Sequence, residues 1–406
     1  MPLTLFEFAE IIGVPQISML VYSRICPANT FLEFLFYSVP QYLVLRFIER
    51  AYLVYLALIT VLLVVPTKYH RTYTTHTDPI DRMRMTISFL VCLAIFAADF
   101  KNYDSGRFGK SMNCEFRLMD VGAGSFVFNS GLVSFKASRQ KKLINSGKCF
   151  FFGICRLLSK ILLRVDIKEA EFGKHFNFFI DLALLNLISI FVNPQFPYVS
   201  GLVLIFWYQI ALFLGLEAKI LNNDRKNFFT ANLEGIVFLV PQFGTYLMSQ
   251  EIGKSVVMDK SMKKVVMYFM ASVALFCGTY FYEPVARRLH NAPYCLLMHV
   301  SHTAIIICFD FLNIHFKIGE LKVSTFGSKN MLNILIISNV LVQAARYIGY
   351  FEESSDIKVA IKIQIYLFII FYLIFKIQGS LKSQAAAKVE ASTDAKPVGS
   401  NESIKA

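Results

Sequence analysis

Long apolar runs alternate with short polar strips along most of the chain, without the two-residue alternation that marks a strand. A helix needs roughly 20 predominantly apolar residues to cross a bilayer. On that rule spans are expected near Phe31 to Ile48, Ala51 to Val65, Thr86 to Phe100, Leu118 to Phe135, Cys149 to Leu163 and Phe176 to Val192. The second half adds Tyr198 to Leu216, Phe228 to Met248, Val265 to Tyr282, Tyr294 to Leu312, Met331 to Tyr347 and Ile361 to Ile377, with Phe6 to Ile25 as a further candidate. Only helices and closed barrels satisfy their backbone in lipid, and runs of this kind exclude the barrel. The expected fold is all-α, a polytopic membrane bundle of about 12 to 13 transmembrane helices.

The strips between runs are short and no repeat period stands out, so residues 1–382 read as one membrane domain. Ser383 to Ala406, rich in Ala, Ser, Lys and Glu, reads as a disordered polar tail. Met1 to Glu10 offers no basic stretch ahead of a short apolar core. Insertion is therefore expected to rely on the first internal helix rather than on a signal peptide.

Composition agrees with the pattern. Of 406 residues 55% are hydrophobic, 40 are Phe, and the mean hydropathy is +0.52, more apolar surface than one globular core can hide. A net charge of +13 invites a nucleic-acid reading, but in a membrane chain it mostly marks cytoplasmic loops, and no nucleic acid is expected. Lys136, Arg139, Lys141, Lys142 and Lys148 crowd one loop with no acid among them, whereas Glu352, Glu353 and Asp356 dominate the strip before the last run. With the first loop cytosolic and the helices alternating, Lys101 to Arg117 is lumenal and the carboxyl tail, with the glycosylation sequon Asn401-Glu402-Ser403, is cytosolic. Cys92, Cys149, Cys155, Cys277, Cys295 and Cys308 lie inside apolar runs without paired metal spacing, so buried free thiols are expected and no metal site.

The strip Lys101 to Arg117 stands out for where charge falls. Asp99 ends one apolar run, Arg107 and Lys110 lie within the strip, and Asp120 opens the glycine-rich run Met119-Asp120-Val121-Gly122-Ala123-Gly124-Ser125-Phe126-Val127-Phe128. A charge costs roughly 2.5 to 3.5 kcal/mol at the bilayer centre and less at its edge, so groups placed there are kept for pairing or for chemistry. Asp99 suits a general base, with Lys110 holding it or donating to an oxyanion or a phosphate; a structural ion pair is the alternative. Asp120 sits where a carboxylate caps a helix. Gly122, Gly124 and Ser125 form a small-residue surface that lets a helix or an acyl chain approach closely. Arg156, in mid-run, needs an anion, either substrate phosphate or a buried carboxylate such as Asp181 or Glu234. His299 and His302 share one helix face and read as a rival catalytic base, a metal pair, or the commoner helix glue.

The spelling of these segments resembles one family. Phe96-Ala97-Ala98-Asp99-Phe100, Arg107-Phe108-Gly109-Lys110 and Leu118 to Val133 are similar to consecutive blocks of the GPI inositol-acyltransferase family, the wall-transfer type. Further blocks follow in the family's order: Phe152 to Leu157, Glu171-Phe172-Gly173-Lys174-His175-Phe176-Asn177-Phe178-Phe179, Ala231-Asn232-Leu233-Glu234-Gly235-Ile236, and Arg287-Arg288-Leu289-His290-Asn291-Ala292-Pro293-Tyr294. Two departures mark this chain: the segment from Asp99 to Lys110 lacks the family's prolines and is one residue longer, and Phe176 replaces a tryptophan.

The resemblance implies a multi-pass enzyme of the endoplasmic-reticulum membrane. It would move a palmitoyl chain from palmitoyl-CoA to the inositol of glucosaminyl-phosphatidylinositol, with acyl-CoA as substrate and no metal or redox cofactor. Asp99 and Lys110 match the family's catalytic pair. Arg107, Asp120, Gly122, Gly124, Ser125, Arg156, His175, Asn177, Asn232, Glu234, Arg287, Arg288 and Asn291 are the candidate substrate contacts. The rival readings are a membrane lipid transporter or flippase, and a histidine-based O-acyltransferase acting on another lipid alcohol.

Overall fold

A computed structural model describes residues 2–25, 29–66, 78–103, 105–111, 115–162, 171–316, 318, 321–352 and 355–394. Among these residues the protein is helix and turn with no strand, an all-α polytopic membrane protein. The first half holds α1 (Leu5–Ile25), α2 (Thr30–Arg46), α3 (Ala51–Val64), α4 (Asp78–Ala97), α5 (Ser105–Phe108), α6 (Val121–Ser134), α7 (Arg139–Leu162) and α8 (Phe178–Phe191). The second holds α9 (Pro197–Ala211), α10 (Glu217–Leu221), α11 (Phe228–Ala231), α12 (Leu233–Val257), α13 (Met262–Tyr280), α14 (Ala292–Phe316), α15 (Lys322–Lys329), α16 (Met331–Tyr347) and α17 (Asp356–Asp394).

Helix starts follow local chemistry. Asn29 accepts from the Phe31 and Leu32 amides at the head of α2, Ser261 accepts from the Lys264 amide before α13, and Pro197 occupies the first turn of α9. Each expected apolar run is met by a helix. Five described helices are long and apolar enough to cross a membrane: α1, α13, α14, the span Pro197–Leu221 and the first part of α17. A sixth arises if the pair Thr30–Arg46 and Ile48–Val64, bent by 103°, counts as one span. Other elements are shorter, as α8 and α16 are, or carry charge, as α4 does at Asp78, Asp81, Arg82 and Arg84.

Two sequence expectations change. The basic stretch read as a loop is mostly helix: Lys141, Lys142 and Lys148 lie on the first turns of α7, which turns Leu143, Phe150, Phe151 and Leu158 outward. Of the cysteines expected to be buried, Cys92, Cys149 and Cys295 are, but Cys155, Cys277 and Cys308 face outward, and all are free. Outward-facing thiols suit lipid as well as a core does, because a thiol behaves as a small apolar group. At the other end of the chain, α17 runs on to Asp394, while residues 395–406, including the sequon, lie outside the described residues.

The centre of the bundle is α12, packed against α6, α8, α9 and α14. Its crossing with α6 is so close that a Cβ on Gly131 would collide with the Tyr246 carbonyl, so only glycine fits. On the other side α4 lies against α14, α15 and α16. That contact sets the geometry of the site.

Candidate functional site

The end of α4 is clamped to the end of α16 by aromatic side chains. Phe96 stacks on Tyr366 at 3.9 Å between ring centroids and meets Phe351 at 5.1 Å; Phe100 meets Phe351 edge-on at 4.9 Å. Gly349, at φ 67°, lets the chain reverse after α16 so that the Tyr350 amide donates back to the Ala345 carbonyl. Lys362 donates to the Tyr350 carbonyl at 2.7 Å. This clamp brings Arg346, in the last turn of α16, opposite Asp99. The guanidinium grips the carboxylate bidentately, Nε to Oδ2 at 2.6 Å and Nη2 to Oδ1 at 2.7 Å.

Lys110 therefore has a different partner from the one the sequence suggested. Its Nζ donates to Glu171 Oε2 at 2.8 Å, and Arg287 Nη2 lies 3.8 Å from the same oxygen while its guanidinium rests over the Phe172 ring. Burial pushes the Glu171 carboxyl up, but Lys110, Arg287 and Arg156 outweigh it and hold the group at about 2. Burial pushes the Lys110 ammonium below its ordinary value, against Glu171 and with Arg156 and Arg287 adding to the depression. The two directions have one physical source: the carboxylate sits among three cations, the ammonium beside one anion and two like charges.

Asp120 anchors this strip from below. Fully buried, it accepts from the Ser111 amide at 3.2 Å and the Arg117 amide at 3.0 Å, which folds the segment after Lys110 onto the head of α6. The carboxylate makes no side-chain cap bond to α6; it ties the preceding strip together, and it does not line the cavity that Lys110 and Glu171 face.

Asp99, Lys110, Glu171, Arg156, Arg287 and Arg346 line one cavity of about 410 Å³. Its remaining walls are mostly apolar, from Val91, Ala94, Ile95 and Ala98 of α4, Met119, Gly122, Ala123 and Phe126 around the start of α6, and Leu335 and Val342 of α16. Asn177 also lines it, although its side chain caps α8, accepting from Phe179 and Ile180 and donating to the Gly153 carbonyl at 2.9 Å. Among the described residues no carboxylate lies within ion-pair distance of Arg156. The partners offered for it are taken: Glu234 pairs with Arg225 at 2.5 Å and Asp181 accepts from Gln242.

Other candidates are held in structural contacts away from the cavity. Arg107 pairs with Glu7 at 3.1 Å, tying the strip to α1. His175 and Asn232 hold each other, the His175 amide donating to Asn232 Oδ1 at 2.8 Å. Asn291 donates to Glu283 and to the Pro284 carbonyl and accepts from the Ala286 and Tyr294 amides, closing the turn before α14. Arg288 does not line the cavity. Gly124 packs on α14, where a Cβ would stand 2.6 Å from Met298 and 2.9 Å from the Tyr294 hydroxyl. Ser125 is bonded to His302 Nε2 at 2.9 Å, and His299 Nε2 faces the Thr245 carbonyl at 3.1 Å. Both histidines are buried and neither lines the cavity, as expected of helix glue.

Two residues of the site escaped the sequence reading. Glu171 opens the block Glu171 to Phe179, and its place at the head of that block was the available signal. Arg346 had one too: Asn339, Gln343 and Arg346 recur at helical spacing on an otherwise apolar run, a polar stripe that lines the cavity.

The GWT1 family profile matches residues 4–377. GPI-anchored wall transfer protein 1 of Candida glabrata is 28% identical over 317 residues, 63% of this chain and 65% of that protein. The protein of the same name from Kluyveromyces lactis is 26% identical over 325 residues, 74% of this chain and 72% of that one. That of Saccharomyces cerevisiae is 34% identical over 186 residues, 40% of this chain and 38% of the relative. The chain thus spans slightly less than two thirds of the Candida glabrata protein.

Proposed function

The chain belongs to the GWT1 family, and from that premise we propose that it is an acyltransferase of GPI-anchor synthesis in the endoplasmic-reticulum membrane. It moves a palmitoyl chain from palmitoyl-CoA to the inositol hydroxyl of glucosaminyl-phosphatidylinositol. The observation that carries the reading is that Asp99 and Lys110, far from each other's ion-pair partners in sequence, face one cavity whose other walls are largely apolar. Acyl transfer to a lipid alcohol needs that juxtaposition of a base, cations and a greasy surface, and about 410 Å³ falls in the ordinary range of ligand sites.

In this reading Asp99 takes the proton from the inositol hydroxyl as its oxygen attacks the thioester carbonyl. Lys110, steadied by Glu171, donates to the tetrahedral oxyanion. Collapse expels the coenzyme as a thiolate, which takes up a proton, and leaves the inositol ester. A positioned base contributes about 10² to 10⁴ in rate, and an oxyanion donor on the order of 2.7 to 4 kcal/mol. Arg156 and Arg287 offer positive charge to substrate phosphates. The thioester carries its own activation, so the step calls on neither metal nor redox cofactor.

The test is inositol acylation in microsomes supplied with labelled palmitoyl-CoA. Asp99→Asn is expected to lose about 10² to 10⁴ in rate, whereas His302→Ala keeps its rate per folded molecule. Loss only in the histidine variant would overturn the assignment in favour of a histidine enzyme, and no acyl product from the unaltered protein would overturn the activity itself.

A further inference from the structure

Arg346 binds Asp99 on the edge of the carboxylate that a general base uses best. The fork takes the syn lone pair of each carboxylate oxygen, leaving an incoming hydroxyl only the less basic anti lone pairs. The pair also forms a partition. Asp99 and Arg346 line the inner cavity and, from their other side, an outer recess of about 710 Å³ whose walls include Lys101, Gly349, Phe351 and Glu352. The arginine side chain is 46% exposed and the carboxylate 18%, so the recess reaches the guanidinium more readily than the acid. Nε and Nη2 hold Asp99, which leaves Nη1 outside the fork.

We propose that Arg346 is a positioning residue that acts as a substrate-released latch: a phosphate group arriving from the outer recess draws the guanidinium off Asp99, freeing the carboxylate to accept the hydroxyl proton and opening the partition. The proposal rests on the acyl-transfer reading above. Phosphate competes well for this group because its oxygens match the planar fork as a carboxylate does and can carry more charge. Lys101 and Glu352 both line the recess, so the Arg346 guanidinium rather than a general positive field is the group that draws the anion. The aromatic clamp of Phe96, Phe100 and Phe351 holds the two backbones in place, so release needs only a change in the arginine side chain. Uncommitted substrate would then meet a closed base, and hydrolysis of the thioester by water would be suppressed until the phosphate-bearing partner has docked.

The phosphate has two sources, the diphosphate of the acyl donor or the phosphodiester of the glycolipid, and paired substrates separate them. Full-length protein in detergent is assayed with palmitoyl-CoA against the phosphate-free palmitoyl thioester of N-acetylcysteamine, and with glucosaminyl-phosphatidylinositol against glucosaminyl-inositol lacking phosphate. The unaltered protein is expected to prefer the phosphate-bearing member of one pair by on the order of 10- to 100-fold in kcat/KM. Arg346→Gln should bring that one ratio to near unity, by raising kcat/KM for the phosphate-free member, whose base is no longer held, while KM for the phosphate-bearing member rises, and leave the other ratio as it was. Arg346→Lys, which keeps charge but not the fork, should fall between, and it carries the same readout if the glutamine variant does not fold. Retention of both ratios in Arg346→Gln, or an equal loss of kcat on all four substrates with KM unchanged, would overturn the latch. Absence of acyl transfer by the unaltered protein would instead overturn the activity on which it rests.

Discussion

At the end of α4, Asp99, Lys110, Glu171, Arg287 and Arg346 carry formal charge and face open space; between α6, α12 and α14, Ser125, Thr245, His299 and His302 exchange hydrogen bonds without lining the cavity. Both regions are polar islands in an apolar bundle, and both drew attention in the sequence. The difference lies in how the desolvation cost is offset. In the histidine network His302 is satisfied from within, Nδ1 facing the Met298 carbonyl at 2.6 Å and Nε2 the Ser125 hydroxyl, while His299 Nδ1 has no hydrogen-bond partner among the described residues. At the cavity, two carboxylates are set among four cations, an excess of positive charge that suits an anionic ligand. A polar residue in a membrane helix marks a site only where charge and space coincide.

The largest effect should come from breaking the charged region at its centre. Glu171→Gln leaves Lys110 and Arg287 without their shared anion, and about 2 to 4 kcal/mol of stability should be lost together with most acyl transfer. Thermal unfolding in detergent and the turnover assay check this together. Its pH dependence has a defined sign. Because the folded-state carboxyl is held at about 2, below the ordinary 4.3, the contribution is fully present above about pH 4.3. It disappears as pH falls to about 2. The gap in melting temperature between the two proteins should close across that window, and a gap that stays constant would argue against the ion pair as its source.

A middle-sized effect is expected in the neutral region. His302→Ala strands the Ser125 hydroxyl and should cost about 1 to 3 kcal/mol in stability. Turnover per folded molecule should be preserved, so stability and activity separate here where at Glu171 they fall together. Loss of both in His302→Ala would erase the contrast.

The smallest change tests the hinge between Asp99 and its partner. Gly349→Ala forces φ 67° on a residue with a Cβ, at a cost of about 1 kcal/mol. A shift of a few degrees in melting temperature, with altered kcat/KM but an intact fold, is the expected result. An unchanged kcat/KM would mean that the turn after α16 does not govern where Arg346 sits.

Much of this was legible in advance, and particular residues show why the rest was not. Hydropathy located the long apolar helices because burial in lipid is a property of consecutive side chains, while the basic first turns of α7 escaped it because they carry no apolar run. The pairing of charges was not legible. Arg346 lies 247 residues from Asp99 and Glu171 lies 61 from Lys110, so each partner is chosen by how helices pack, with nothing in the intervening sequence to name it. The same limit hid the turn contacts that His175, Asn232 and Asn291 make.

By itself, then, the chain determined an all-helical membrane protein, the places where charge meets the bilayer edge, and the family to which its blocks belong, because each of these follows from the order of side chains along a helix. Only the tertiary structure decided that Arg346 holds Asp99, that Glu171 holds Lys110, and that both pairs open on one cavity while the histidines do not. Electrostatic attraction falls with distance through space, and distance in space is set by packing.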